Sequence, residues 1–286
     1  MTDLPAGLSD LRDRYDVLLC DVWGVIHNGR ENFPRACTAL ARWRAEVGPV
    51  VLISNSPRPA SDVIAQLDGL KVPREAWSAF VTSGDATRAL LAARSPGPAW
   101  KIGPDRDWPL YEGLGLAFTT VDQAAFVTVT GPDNDDIETP EDYRERLTVA
   151  AGRGLPLICA NPDRVVQKGD RLIYCGGALA DLYGQLGGEV LMAGKPFSPI
   201  YDLALTEGEA LLGKPLDRAR VLCIGDGVIT DVKGALDHGL DCLFIAQGIH
   251  GVKALGPDGK LDPAKVESLL NEEGVTAAHA MADLVW

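Results

Sequence analysis

No stretch of this 286-residue chain approaches the roughly 18 uninterrupted apolar residues of a membrane span, although hydrophobic residues make up 46% of it. A membrane protein is therefore not expected. The opening residues, MTDLPAGLSDLRDRYD, lack the basic start and apolar middle of a secretory signal, so a cytoplasmic location is expected. Paired cysteine motifs are absent as well: Cys20, Cys37, Cys159, Cys175, Cys223 and Cys242 are scattered, and most sit in apolar runs. Buried free thiols are expected rather than a disulfide framework or a zinc site. Finally, the sequence lacks a basic stripe. With a formal net charge of -13, it is not expected to bind nucleic acid, which needs clustered Lys and Arg. Any positive potential for an anionic substrate has to be made locally, by one or two cations, helix N-termini or a metal.

What the sequence does have is a series of short Val/Ile/Leu-rich runs separated by helix-like segments. DVLLCDV, PVVLISNS and AFVTS come early, and EVLMAG, RVLCIGDG and DCLFIAQG come late. Runs without polar alternation predict strands covered on both faces, and hence a parallel sheet with crossover helices. Asp21, Ser54, Asn55 and Asp226 each fall at the C-terminal end of such a run, the edge where open parallel sheets place their ligands. The middle of the chain reads as a second α/β unit, with strand candidates AAFVTVTG, PLICANP and RLIYCGG and a helix starting at Thr139-Pro140. The expected division is a core of residues 1–84 and 186–286 with an insertion at 85–185. The Pro/Gly-rich RSPGPAWKIGPDRDWP reads as a surface loop.

Four short motifs carry candidate chemistry. Asp21, followed by Gly24, is either a turn residue or a functional acid. Ser54 and Asn55 of ISNSP either cap the next helix or bind an anion. Lys195 of AGKPFSP is a surface lysine by residue type alone, unless it serves a site. In CIGDGVITDV, Asp226 and Asp231 together suggest a hard divalent cation with oxygen ligands.

In this order and on these strand ends, the four motifs resemble those of the haloacid dehalogenase-like superfamily. TSGDATRALL, CANPD and GGALADLYGQLGGEVLMAGKP are similar to its class IIA branch, the nitrophenylphosphatase-like and pyridoxal-phosphate-phosphatase-like proteins. The resemblance implies a Rossmann-like parallel-sheet α/β core with an inserted α/β cap domain. It also implies Mg²⁺-dependent hydrolysis of a small phosphorylated metabolite through an aspartyl-phosphate, and a homodimer. Asp21 would be the nucleophile, with Ser54 and the amide of Asn55 holding phosphate oxygens. Lys195 would neutralise charge, and Asp21, the carbonyl of Trp23 and Asp226 would hold Mg²⁺, supported by Asp231. Asn161, Asp163 and Arg164 would lie on the substrate-facing loop of the insertion; a turn-forming role for Asn161-Pro162-Asp163 is the alternative. Arg58, just after SNSP, either reaches a second anionic group or has no part in the site.

The chain departs from that pattern at one place. Two residues after the nucleophile, phosphatases of this superfamily carry a second Asp that shuttles protons, and here stands Trp23. Indole has one N–H donor and does not titrate usefully, so acid catalysis is expected to be weakened. The ring either packs the pocket floor or stacks against substrate. His27 either replaces the lost proton donor or is structural. A phosphometabolite-binding module with impaired chemistry is the alternative reading of the whole chain.

Overall fold

The computed structural model describes residues 2–168, 171–248, 251–257 and 260–286. Its strands are β1 (Val17–Cys20), β2 (Val50–Ser54), β3 (Ala79–Thr82), β4 (Ala99–Ile102), β5 (Phe126–Val129), β6 (Leu157–Cys159), β7 (Val165–Lys168), β8 (Arg171–Tyr174), β9 (Val190–Met192), β10 (Val221–Gly225), β11 (Asp241–Ile245) and β12 (His279–Met281). The chain forms two compact units. One comprises Met1–Ser54, Ala65–Val81 and Tyr201–Trp286, and the other Asn55–Ile64 and Thr82–Ile200.

The first unit is built on a six-stranded sheet of order β12-β11-β10-β1-β2-β3. β1 pairs in parallel with β10 on one side and β2 on the other, and β11 lies parallel to both β10 and β12. All four residues of β1 and all five of β10 are buried, which is why these runs show no polar alternation. Helix α1 (Pro34–Glu46) buries Ala36, Cys37, Ala39, Leu40 and Trp43, a three-and-four spacing that puts one apolar stripe inward. From β1 the chain moves outward to β2 and β3, and it later returns to β10 on the opposite side of β1. The β1/β10 boundary is therefore the switch point where an open parallel sheet leaves a crevice beyond its carboxyl ends.

The second unit holds a parallel four-stranded sheet, β4-β5-β6-β9, and the antiparallel β7-β8 hairpin. Both faces of the larger sheet are covered. Val127 and Leu157 pack with Tyr143, Leu147, Leu179 and Tyr183 on one side. Their chain neighbours Phe126 and Ile158 pack with Leu91, Leu110 and Tyr111 on the other, as the two-residue period of a strand requires. The helix expected from Thr139 forms as a 3-10 turn, Pro140–Tyr143, running into α-helix Arg144–Gly152, with Thr139 and Asp142 closing a capping box.

Two expectations are corrected. EVLMAG, read as a strand of the first sheet, supplies β9, which pairs with β6 in the second; a buried apolar run does not specify its neighbour. RSPGPAWKIGPDRDWP is not a surface loop, because it contains β4 and the buried Trp100 and Asp107. Its prolines flank the strand without entering it, so no ladder donor is lost. All six cysteines are buried and free, as expected. Among the described residues, no helix is long and apolar enough to cross a membrane.

Candidate active site

Parallel pairing of β1 with β10 sets Cys20 opposite Ile224, so the residues that follow each strand emerge side by side. Asp21 donates its backbone N–H to the Ile224 carbonyl at 2.8 Å, which fixes its place just past the strand end. Asp226 leaves β10 one residue beyond Gly225. A single π turn, Val228–Val232, brings Asp231 back over it, a local widening of the helix often found at functional sites. Carboxylate oxygens of Asp21, Asp226 and Asp231 all lie within 4.8 Å of one another, and all three residues are buried.

Three carboxylates gathered this closely repel one another by about 3 kcal/mol per pair at an effective dielectric of about 20. An all-oxygen, anionic, buried donor set suits a hard divalent cation, and these are the residues that would hold one. Asp231 is also anchored within its own turn, accepting the Gly227 N–H at 3.0 Å and the Thr230 hydroxyl at 3.2 Å. Gly24 makes room for the cluster. Its φ is +85°, and a Cβ there would stand 2.7 Å from the Asp226 carboxyl carbon, so both backbone and space require glycine.

The segment after Asp21 turns back on itself. The Gly24 N–H donates to the His27 carbonyl at 2.8 Å, and the Ile26 N–H to the Val22 carbonyl at 2.9 Å. Trp23 is half-buried, bridged to His27 through the backbone, with its indole nitrogen near Gly29. His27 is buried, and its Nδ1 accepts the Gly29 N–H at 3.0 Å. Burial pushes its pKa down to about 4. The imidazole is therefore neutral at pH 7, with its proton on Nε2, and it is not a ready acid for a leaving group. Ser54 closes β2 at the same sheet edge as Asp21.

In the second unit, the Asn55 side chain ties two segments together. Its carbonyl accepts the Lys195 N–H at 2.7 Å, and its amide donates to the Lys195 carbonyl at 3.2 Å and to Asp163 at 2.8 Å. Lys195 is 3% exposed, so the surface-lysine alternative does not hold. Asn161 accepts the Asp163 N–H at 3.2 Å, which orients Asp163 toward Asn55; the turn-forming role and the placement of Asp163 come together. Arg164 instead pairs with Asp181 at 2.5 Å on an exposed flank.

Sequence reasoning missed a polar group at the carboxyl ends of β4 and β5. Asp107 and Asp135 are buried, and the Arg106 guanidinium reaches both, hydrogen-bonding Asp135. Burial raises the Asp107 pKa, while the Thr130 hydroxyl and the charges of Arg106 and Arg58 oppose the rise. Arg58 thus stands near an acid of its own unit. The available signal was the repeated Gly-Pro-Asp after consecutive strands, Gly103-Pro104-Asp105 and Gly131-Pro132-Asp133.

The same motifs are matched by two family models. One, described as haloacid dehalogenase-like hydrolase, covers residues 18–117, and a HAD-hydrolase-like one covers 192–272. A crystal structure of a hydrolase of the haloacid dehalogenase-like family from Brucella suis 1330 is 48% identical, covers 99% of this chain and 100% of that one, and superposes with a TM-score of 0.87. The chain belongs to the haloacid dehalogenase-like hydrolase family. Two curated members of similar length are more distant. The 5'-nucleotidase YutF of Bacillus subtilis is 25% identical, covering 89% of this chain and 96% of its own. The ribonucleotide monophosphatase NagD of Escherichia coli K12 is 24% identical, covering 81% and 88%. Within this haloacid dehalogenase-like chain, the segments carrying Asp21 and Ser54 lie in the first matched region and those carrying Lys195, Asp226 and Asp231 in the second.

Proposed function

We propose that this protein is a Mg²⁺-dependent phosphatase of small phosphorylated metabolites, working through an aspartyl-phosphate on Asp21 with weakened general acid catalysis. The observation that carries the reading is the buried trio Asp21, Asp226 and Asp231 at the β1/β10 switch point. The cation supplies electrostatic stabilisation of the phosphoryl group, which is most of the work in this class of reaction. Asp21, the Trp23 carbonyl and Asp226 are assigned as its holders, with Asp231 bracing them through the Gly227 and Thr230 bonds. Asp21 attacks phosphorus. Ser54 and the Asn55 backbone amide are assigned to the phosphate oxygens and Lys195 to charge neutralisation, while the Asn55 side chain holds the Lys195 backbone. Arg58, Asn161 and Asp163 are assigned to the remainder of the substrate. Phosphatase names among similar chains support the class of reaction.

Trp23 limits the substrates. General acid–base catalysis contributes about 10²- to 10⁴-fold, and neither indole nor the neutral His27 supplies a proton easily. Aryl and acyl phosphates, whose leaving groups depart as anions, are expected to turn over, and alkyl phosphates about 10²- to 10⁴-fold more slowly. Phosphate release from 4-nitrophenyl phosphate and glycerol phosphate with Mg²⁺ tests this, with Asp21→Asn as control. Equal kcat/KM values on both substrates refute the loss of acid catalysis, because that ratio leaves out the dephosphorylation step the two share. Equal residual activity in wild type and Asp21→Asn refutes the enzyme, and favours the second reading that Trp23 motivates, a phosphometabolite-binding module.

A further inference from the structure

Asp231 joins the carboxylate cluster from a widened turn. The Gly227 carbonyl accepts two N–H groups, from Asp231 at 2.8 Å and from Val232 at 3.1 Å, and the second of these bonds sets the π spacing of Val228–Val232. Such spacing is rare. The Asp231 carboxylate folds back on the strand end as a result: a Cβ on Gly225 or on Gly227 would lie 2.6 Å or 2.9 Å from the same carboxylate oxygen.

Tyr201 lies in the first turn of the helix Ser198–Leu212 and is 1% exposed. Its hydroxyl donates to the Thr230 carbonyl at 3.3 Å, one residue before Asp231. The ring tip fills the space that glycine leaves at position 234, where a Cβ would overlap the hydroxyl and stand 2.7 Å from the ring carbon that bears it. The ring face stacks on His238, with 4.4 Å between centroids and 17° between planes. His238 in turn donates its Nδ1–H to the Gly234 carbonyl at 2.7 Å. Thr230, Gly234 and His238 follow at intervals of four, so they lie along one face of the helical segment, and that face meets a single tyrosine. Burial pushes the hydroxyl pKa well above its usual value, and the charges of Asp231 and Asp21 add to the rise. The hydroxyl is therefore a protonated donor at neutral pH.

Resting on the Mg²⁺ site of the proposed function, we propose that Tyr201 is a positioning residue for that site, its hydroxyl holding the Thr230 carbonyl so that the widened turn delivers Asp231 to Asp21 and Asp226. It acts through the backbone beside Asp231 rather than by contact with the ion. Mg²⁺ demands near-ideal octahedral geometry at short distances, whereas Ca²⁺ accepts irregular coordination. A turn that has lost its anchor therefore loses affinity for Mg²⁺ before it loses affinity for Ca²⁺.

The test titrates Mg²⁺ and Ca²⁺ separately into the full-length protein by calorimetry, for wild type, Tyr201→Phe and Tyr183→Phe. Tyr183 is the matched control, since it too is buried and its hydroxyl donates to a backbone carbonyl, that of Leu155 at 2.5 Å, within the other unit. Tyr201→Phe should weaken Mg²⁺ binding about two- to twelvefold, the worth of one neutral hydrogen bond, with Ca²⁺ binding close to the wild-type value. Tyr183→Phe should lower the urea midpoint and leave both affinities unchanged. Unchanged Mg²⁺ binding in folded Tyr201→Phe overturns the proposal and makes Tyr201 a packing residue, with the phosphatase reading standing. Equal losses of Mg²⁺ and Ca²⁺ affinity overturn it as well, and so does a Mg²⁺ loss of the same size in Tyr183→Phe. If Tyr201→Phe has no folded baseline in urea, the hydroxyl supports the whole unit rather than the site, and the proposal fails. Wild type that binds neither ion overturns the cation site and the phosphatase reading with it.

Discussion

Replacing Gly24 with alanine should damage the carboxylate cluster far more than it damages the fold. Two costs arise, and the structure separates them. At φ +85°, an L-residue is strained by about 1–2 kcal/mol. The new Cβ also overlaps the nearer Asp226 carboxylate oxygen and stands 2.7 Å from the carboxyl carbon. Asp226 is only 2% exposed, so it moves only by disturbing packed neighbours, an overpacking cost of about 1–3 kcal/mol. The expected destabilisation is about 2–5 kcal/mol in all, and displacement of the carboxylate should weaken Mg²⁺ binding at least about tenfold, equivalent to 1.4 kcal/mol. Gly239→Ala is the matched control, since Gly239 has φ +68° with nothing within 4 Å of its would-be Cβ; it should show the strain alone, with metal affinity unchanged. Urea unfolding gives the stability difference and calorimetric titration gives the affinity. If Gly24→Ala matches Gly239→Ala in both, the close approach to Asp226 has no energetic meaning and the reasoning is wrong.

Saturating Mg²⁺ should stabilise the wild type by about 2.7 kcal/mol at a hundredfold excess over Kd, raising Tm by several degrees, and Asp226→Asn should abolish that rise in a thermal melt. His27 should make stability pH-dependent. Burial holds its folded pKa at about 4 against 6.5 in the unfolded chain, so only the unfolded chain takes up the proton between those values. The contribution is complete above about pH 6.5 and is lost as pH falls toward 4, amounting to about 3 kcal/mol. His27→Gln should flatten that limb of a urea-midpoint profile, and an unchanged profile would remove His27 as its source.

Much of the first unit was legible because a strand buried on both faces leaves an unbroken apolar run, and an acid at its end stands out. Asp21 and Asp226 were read in this way, and Asp231 from its spacing within CIGDGVITDV. Lys195 was ambiguous alone, since lysines are mostly exposed; its backbone is held by Asn55, 140 residues away in sequence. The state of His27 was equally hidden, because a histidine's charge follows from its surroundings and the Gly29 bond is a product of the turn. Asp107 and Asp135 were not singled out, because only the meeting of two strand ends brings them to one arginine.

The sequence by itself determined the alternation of strand and helix, the acids at the strand ends and the indole at position 23, because these depend on residue type and local spacing. Only the tertiary structure decided that β9 joins β6 rather than the larger sheet, that three acids separated by up to 210 positions meet within 4.8 Å, and that Gly24 is needed for that meeting. Pairing and close approach are properties of segments distant in the chain, and no local pattern encodes the distance between them.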